Sequence, residues 1–317
     1  MISLSRAEIE ALIDLPVAAR AIEAAYRATS RGDVTLPPVG HITFPEHDAD
    51  CHIKYGHMAD DPTFVIKVAT GFPGNGSIGL PTGNGLVLVL SAETGAVEAM
   101  LHDEMMLTDI RTGLGGAIAS RTLARPDSRR ALVIGTGPQA RRQIEAHAAL
   151  MSRLSFQVWG RDARKVAELV AEMAPVCDVT GVDDLEAAVR QPDVIITATG
   201  STAPLLRSDW VLPGTHITAV GADAPGKQEL DVALVARADV LAVDLVAQCV
   251  DHGEVSHAAA AGLIQPGELH EIGALLEHPE RGRKDAAQVT IADLTGIAAQ
   301  DIAMANAILA AWREQSG

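Results

Sequence analysis

The turn Gly135-Thr136-Gly137-Pro138-Gln139-Ala140 has the residue types and spacing of a phosphate cradle. It follows the apolar run Ala131–Ile134. After it come apolar residues at helical spacing (Ile144, Ala148, Met151) and a second apolar run, Phe156–Trp159. Strand, glycine turn, helix and strand in that order make the βαβ unit that binds dinucleotides. Gly135 permits the tight turn, Gly137 lets backbone amides approach a pyrophosphate, and Ala140 keeps the helix close to the sheet. The free amides of the helix N-terminus then attract the phosphate charge. A purely structural glycine turn is the alternative.

Four further stretches carry charge where packing alone would not place it. Val65-Ile66-Lys67-Val68-Ala69 puts a lysine inside an apolar strand, where a buried ammonium needs a carboxylate or a ligand. On an edge strand, Lys67 would instead snorkel to water. Lys54, in His52-Ile53-Lys54-Tyr55-Gly56-His57, repeats the pattern less strongly. In Leu107-Thr108-Asp109-Ile110-Arg111-Thr112-Gly113 the guanidinium of Arg111 suits a phosphate or carboxylate, or else pairs with Asp109 or Glu104. Finally, the loop Gly221-Ala222-Asp223-Ala224-Pro225-Gly226 follows a predicted parallel strand, at the sheet edge where such folds bind ligands. Asp223 is its candidate proton carrier, or a cap for the next helix. Thr199 and Ser201 end the preceding strand similarly and would line the dinucleotide.

The elements that must hold these residues follow from periodicity. Ser5 and Glu8 form a capping-box pattern for a short helix to about Ile13, and a second helix runs from Asp14 to Ser30, where Gly32 stops it. Leu36–Asp61 is rich in proline and histidine, with short extended runs such as Cys51–Tyr55. Strands at Phe64–Ala69, Leu86–Ser91 and Ala96–His102 make an antiparallel sheet, and Asp103–Ala124 is helical. Beyond the glycine turn, strands and helices alternate: helix Ala163–Met173, strand Val176–Val179, helix Asp184–Arg190 and strand Asp193–Thr197. Strand His216–Val220, a helix near Gln228–Ala236 and strand Asp239–Val243 follow, with a final strand and alanine-rich helix over Thr290–Trp312.

Composition narrows the function classes. With 317 residues and 48% apolar content, two packed domains are expected, and 3% aromatic content makes their cores aliphatic. A formal charge of −16 with no basic stripe argues against nucleic acid. The apolar runs are too short for a membrane span, and the N-terminus lacks a signal-peptide pattern. Cys51, Cys177 and Cys249 are scattered, so neither a disulfide framework nor a metal site is expected. A cytoplasmic protein is expected.

In order along the chain, Lys67 with GFPGN, Leu80-Pro81-Thr82, Thr94-Gly95, LTDIRTG, GTGPQA, GADAPGKQELD and IADLTGIAAQD resemble the ornithine cyclodeaminase/mu-crystallin family. The resemblance covers nearly the whole chain. It implies a homodimer, a nicotinamide cofactor, and a substrate held between an N-terminal domain and a Rossmann domain. It also implies roles: Lys67 for the substrate carboxylate and proton transfer, Thr82 and Arg111 on the cofactor's phosphate side, and Asp223 as acid/base. Two positions depart from the cyclodeaminase pattern. Gly160, followed by Arg161 and Asp162, replaces the acidic residue after the second Rossmann strand, and Pro37-Pro38-Val39-Gly40-His41 replaces an arginine. The HIKYGH and FVIKVATGF stretches look closer to the imino-acid reductase branch, with iminosuccinate reductase and alanine dehydrogenase-like members.

The expected fold is therefore α/β. A Rossmann-type doubly wound parallel sheet (residues 121–294) is joined to an N-terminal α+β substrate and dimerisation domain (1–120), completed by a returning C-terminal helix (295–317). The expected activity is NAD(P)H-dependent reduction of a small α-imino acid to an L-amino acid. Three cations, Lys54, Lys67 and Arg111, with His41, His52 and His57 beside them, leave one to spare, either for a second substrate carboxylate as in iminosuccinate or for the cofactor's pyrophosphate. A cyclodeaminase using NAD catalytically and a non-catalytic NADPH-dependent binding protein are the alternatives. Lys67 and Asp223 are the expected catalytic residues, and Lys54, Lys67 and His41 bind substrate. The cofactor is assigned to Thr82, Arg111, Thr112, Gly135, Gly137, Pro138 and Gln139, then Arg161, Asp162, Thr199, Ser201, Val220, Gly221 and Thr295. Arg161 suits a 2′-phosphate and Asp162 ribose hydroxyls, so both NAD(H) and NADP(H) stay open.

Overall fold

The first turns form as their capping chemistry dictates. After a short strand (β1, Ile2–Leu4), helix α1 (Arg6–Leu12) starts at Ser5, whose backbone N–H donates to Glu8 Oε2 at 2.8 Å. Helix α2 (Leu15–Arg31) is capped by Asp14, which accepts from the Val17 amide at 2.9 Å, and ends at Gly32 with φ 79°. Its inner face buries Ala18, Ile22, Ala25 and Tyr26.

The computed structural model describes residues 1–316. Strands β2 (Val34–Thr35), β3 (Gly40–Phe44), β4 (Ala49–Met58), β5 (Thr63–Gly71), β6 (Gly83–Ser91) and β7 (Val97–Leu101) complete the first sheet. Its order is β1-β7-β6-β5-β4-β2, with β3 also paired to β4. All pairs are antiparallel except β1 with β7. The histidine-rich passage, legible in sequence only as short runs, thus supplies the ten-residue β4. The C-terminal helix (Ala298–Ser316) packs on α2 and against β4 and β5, burying Ile302, Ala305, Ile308 and Leu309. With Ile297–Gly317, residues Met1–Arg111 make one unit, and Thr112–Gly296 make the other.

Helix α3 (Met106–Leu123) leads into the second unit, an eight-stranded parallel sheet. Its strands are β8 (Arg130–Ile134), β9 (Ser155–Trp159), β10 (Val179–Gly181), β11 (Val194–Thr197), β13 (His216–Ala219), β15 (Val240–Val243), β16 (Leu269–Glu271) and β17 (Thr290–Asp293). The order is β10-β9-β8-β11-β13-β17-β15-β16. Ile134, Thr197, Ala219, Asp293 and Val243 stand in register across it, so five strands end on one line. Helices α4 (Pro138–Leu150) and α5 (Ala163–Met173) follow β8 and β9.

Two sequence expectations need correction. The strand expected at Val176–Val179 begins only at Val179, because the Val176 and Cys177 amides still donate to Met173 and prolong the turn after α5. The helix expected near Gln228–Ala236 is split. Strand β14 (Gln228–Leu230) pairs with β12 (Thr202–Leu206), and only Val232–Ala236 is helical, capped by Asp231. Tertiary hydrogen bonds decide this, since the Glu229 and Leu230 amides both donate to the Glu254 carboxylate. Among the described residues, no helix is long and apolar enough to cross a membrane.

Candidate functional site

Alternation along β5 turns Thr63, Val65, Lys67 and Ala69 to the buried face, so Lys67 sits among apolar neighbours at 2% exposure. It does not reach water as an edge-strand lysine would. Lys54 stands directly opposite on β4, also buried. The C-terminal helix supplies their counter-ion. Asp301 Oδ1 lies 2.9 Å from Lys67 Nζ and 3.3 Å from Arg111 Nε. Arg111 therefore turns to Asp301, while Glu104 pairs with Arg6. Gln300 braces the group, accepting from Arg111 Nη1 at 3.1 Å and donating to the Tyr26 hydroxyl at 3.0 Å. Asp301 Oδ2 is buried and makes no hydrogen bond among the described residues. An unsatisfied carboxylate oxygen beside two cations is a place for a ligand proton.

Electrostatics set the protonation of this cluster. Burial draws the Lys67 pKa down to about 7; Asp301 opposes the shift, and Arg111 and Lys54 add to it. Burial alone would raise the Asp301 carboxyl, but Lys67, Arg111 and Lys54 outweigh it and hold it below the usual range. Asp103, which accepts from the Leu107 amide at 3.0 Å, is raised by burial. Lys54, Lys67 and Arg111 thus stand together with the carboxylates of Asp301 and Asp103. The sequence reading counted the three cations and left out Asp301 and Asp103. His41 lies on the same sheet face but in the open, and Thr82 is exposed just before β6.

In the second unit the glycine turn is built for close approach. Gly135 has φ 133°, and a Cβ there would meet the Ala198 carbonyl oxygen at 2.4 Å. Gly137, by contrast, is the N-cap of α4, with open space where its Cβ would point. Pro138 opens the helix, Gln139 is half-buried and Ala140 is fully buried. A pyrophosphate-sized group fits such a cradle, since the first amides of a helix have no intrahelical acceptor and the space beside Gly137 is open. The Thr112 carbonyl accepts from Gln143 at 3.0 Å. Gly113, also in the Arg111 stretch, is a packing glycine: its Cβ would sit 2.6 Å from the Arg142 carbonyl oxygen.

After β9, Arg161 is exposed with no ion pair among the described residues, and Asp162 caps α5 by accepting from the Arg164 amide at 2.9 Å. Asp223 caps no helix; it accepts from Lys227 Nζ at 2.6 Å on the loop beyond β13. Val220 is buried and donates to the Thr197 carbonyl at 3.0 Å. Ser201 Oγ donates to the Ala203 carbonyl at 2.6 Å. Thr295 Oγ1 is held by Gln248 at 2.8 Å and donates to Asp244 at 3.2 Å.

Sequence reasoning gave no role to Glu229. Its side chain, fully buried, accepts from the Thr199 amide and hydroxyl at 2.7 Å, the Thr197 hydroxyl at 2.7 Å and the Gly221 amide at 2.9 Å. One carboxylate thereby fixes the loops after β11 and β13. Glu254, in turn, fixes the backbone of Glu229. The only signal in the sequence was a charged residue in a stretch otherwise read as an amphipathic helix.

The chain resembles known proteins over its whole length. Residues 1–316 match the profile of the ornithine cyclodeaminase/mu-crystallin family. The chain is 34% identical to the iminosuccinate reductase of Paracoccus denitrificans, over 98% of this chain and 96% of that one. An archaeal alanine dehydrogenase dimer with bound NAD superposes with a TM-score of 0.91 at 31% identity, covering 100% and 97% of the two chains. The Δ1-pyrroline-2-carboxylate reductase of Thermococcus litoralis, solved with NADH and L-proline, gives a TM-score of 0.93 at 25% identity, covering 100% and 98%.

Proposed function

The chain belongs to the ornithine cyclodeaminase/mu-crystallin family, and on that premise we propose that it reduces a small α-imino acid to an L-amino acid with NAD(P)H. The observation that carries this is the buried Lys67–Asp301–Arg111 group with Lys54 directly across the strand pair, a cluster of three cations in which burial draws the Lys67 pKa down to about 7. Such a cationic cluster suits a substrate carboxylate. Relatives that reduce an imine carrying a carboxylate, iminosuccinate reductase among them, support the same class.

The nicotinamide, when bound, supplies the hydride. The chain's own residues do the rest. Gly135, Gly137 and the N-terminus of α4 take the pyrophosphate, and Thr199 and Gly221, fixed by Glu229, stand at the ends of neighbouring strands. Lys67 binds the carboxylate as an ammonium and, with its pKa near 7, holds a proton it can release at neutral pH. Reduction of a neutral imine takes a hydride on carbon and one proton on nitrogen. Asp223, relayed by Lys227, is the residue we assign to that proton. A homodimer fits the dimeric alanine dehydrogenase neighbour.

Within the class, a substrate with a single carboxylate is the first reading. The dicarboxylic substrate iminosuccinate, giving L-aspartate, is the second reading, favoured by the imidazoles of His41 and His52 near Lys54 on the same face. The test is NADH and NADPH oxidation with pyruvate plus ammonia, oxaloacetate plus ammonia, and Δ1-pyrroline-2-carboxylate. Turnover with none of the three sinks the proposal. Ornithine or lysine cyclised without net NADH consumption would replace it with a cyclodeaminase.

A further inference from the structure

We propose that His41, Asp50 and His52 form a binding site for one zinc-class divalent cation on the open part of the first sheet's face. The three residues converge because of strand pairing. His41 on β3 stands directly opposite His52 on β4, with ring centroids 4.5 Å apart. Asp50 precedes His52 by two residues and so shares its face. His52 Nε2 is 3.2 Å from Asp50 Oδ2 and His41 Nε2 is 4.0 Å from it; one donor atom of each residue lies within 4.8 Å of the other two.

These distances are those of a tetrahedral ligand set before closure. Ligand bonds of about 2.0–2.1 Å place donors roughly 3.3 Å apart on a tetrahedron's edges. The His52–Asp50 separation already matches an edge, and the exposed His41 closes the other by turning its ring. A hydrogen bond from His52 to Asp50 accounts for those two residues but leaves the third donor unexplained. Asp50 is also given its place by the strand opposite. Gly71 is its partner across β4 and β5, and a Cβ there would meet Asp50 Oδ1 at 2.9 Å. Any side chain at that position would displace the carboxylate.

The donor set selects the ion. Two imidazoles and one carboxylate suit zinc, whereas magnesium demands near-octahedral oxygen ligation. All three residues are partly exposed, so a water completes the fourth position. The cysteine pattern gave no hint of this, since positions 41, 50 and 52 become neighbours only once the hairpin is paired. The proposal does not depend on the imine-reductase reading, but it replaces the role that the dicarboxylate reading gives His41 and His52.

Tag-free protein, stripped with a chelator, is titrated with Zn2+ by calorimetry and with Co2+ by visible absorption. We expect one equivalent per chain, four-coordinate Co2+ bands, and no saturable response to Mg2+. His52→Gln and Asp50→Asn should each weaken Zn2+ binding at least about tenfold, the lower range for losing even an outer partner of a metal site. His41→Gln, at an exposed position, serves if either of those fails to fold. His278→Gln, whose imidazole pairs with Glu280 on the other unit, should leave binding unchanged. Absence of a one-to-one isotherm, binding unaltered in all three ligand variants, or an equal response to Mg2+ overturns the site.

Discussion

Lys67 Nζ and Asp301 Oδ1 are 2.9 Å apart, although the residues are separated by 234 positions in the chain. A strand lysine and a helix carboxylate thus form a buried pair at the centre of the candidate site. Among the groups acting on Lys67, Asp301 supplies the charge and hydrogen bond that raise its pKa, against burial, Arg111 and Lys54. Asp301→Asn should therefore move the Lys67 pKa below about 7. If imine reduction needs the ammonium form, kcat/KM falls as pH rises through about 7 in the wild type. In Asp301→Asn the fall begins at lower pH. Lys67→Arg, charged throughout, should lack this limb, and comparing the three in one assay cancels the substrate's own titration. An identical limb in Lys67→Arg would assign it elsewhere.

Lys67→Ala separates chemistry from cofactor binding. The lysine belongs to the first unit and the glycine turn to the second. Turnover should drop by about a hundredfold or more, the lower range for a positioned acid or base. NADH binding, read by fluorescence titration, should be unchanged. Activity close to wild type would remove Lys67 from the mechanism.

How much of this was legible in the sequence depends on how local the physics is. The glycine turn, the cap at Ser5 and the stop at Gly32 could be read because their partners lie within a few residues. Lys67 was conspicuous because a charge interrupts an apolar strand. Asp301 was not, since an aspartate in an alanine-rich helix reads as its solvated face until the helix is packed on β5. The same limit hid β14: its residues fit a helical pattern, and only bonds to Glu254 and β12 make them a strand.

The two turn glycines should differ in their response to alanine. Gly135→Ala forces a Cβ to within 2.4 Å of a backbone oxygen at φ 133°, so the fold itself must give. We expect a lower Tm together with weaker NADH binding. Gly137→Ala meets no protein atom within 4 Å, so Tm should hold while NADH affinity falls. Unchanged affinity in Gly137→Ala would mean that no pyrophosphate approaches there.

Glu229→Gln tests the link between the two loops. Each carboxylate oxygen accepts from a backbone amide, Thr199 on one and Gly221 on the other. A glutamine has a single acceptor oxygen, so one amide must face an NH2 group in a buried site. Leaving such a donor unsatisfied costs about 1–3 kcal/mol. Both Tm and NADH affinity should fall, with the KM for the keto or imino acid less affected. A variant with wild-type affinity for NADH would make Glu229 a fold residue only.

Cofactor choice rests on the residues after β9. Asp162 spends its carboxylate on the N-terminus of α5, so it is less available to ribose hydroxyls than sequence alone suggested. Arg161 is exposed beside it, without an ion pair among the described residues. A guanidinium there can meet the 2′-phosphate of NADPH, and a charge-assisted hydrogen bond contributes about 1.5–3 kcal/mol at best. Solvent screening at an exposed position brings that nearer the 0–1 kcal/mol of surface pairs. We therefore expect both cofactors to be used, with a preference of roughly tenfold or less by the 1.4 kcal/mol rule. Arg161→Ala should raise KM for NADPH and leave KM for NADH unchanged, and added salt should reduce the difference in the wild type. If Arg161→Ala alters both cofactors equally, the arginine does not read the 2′ position, and discrimination lies in another residue of the turn.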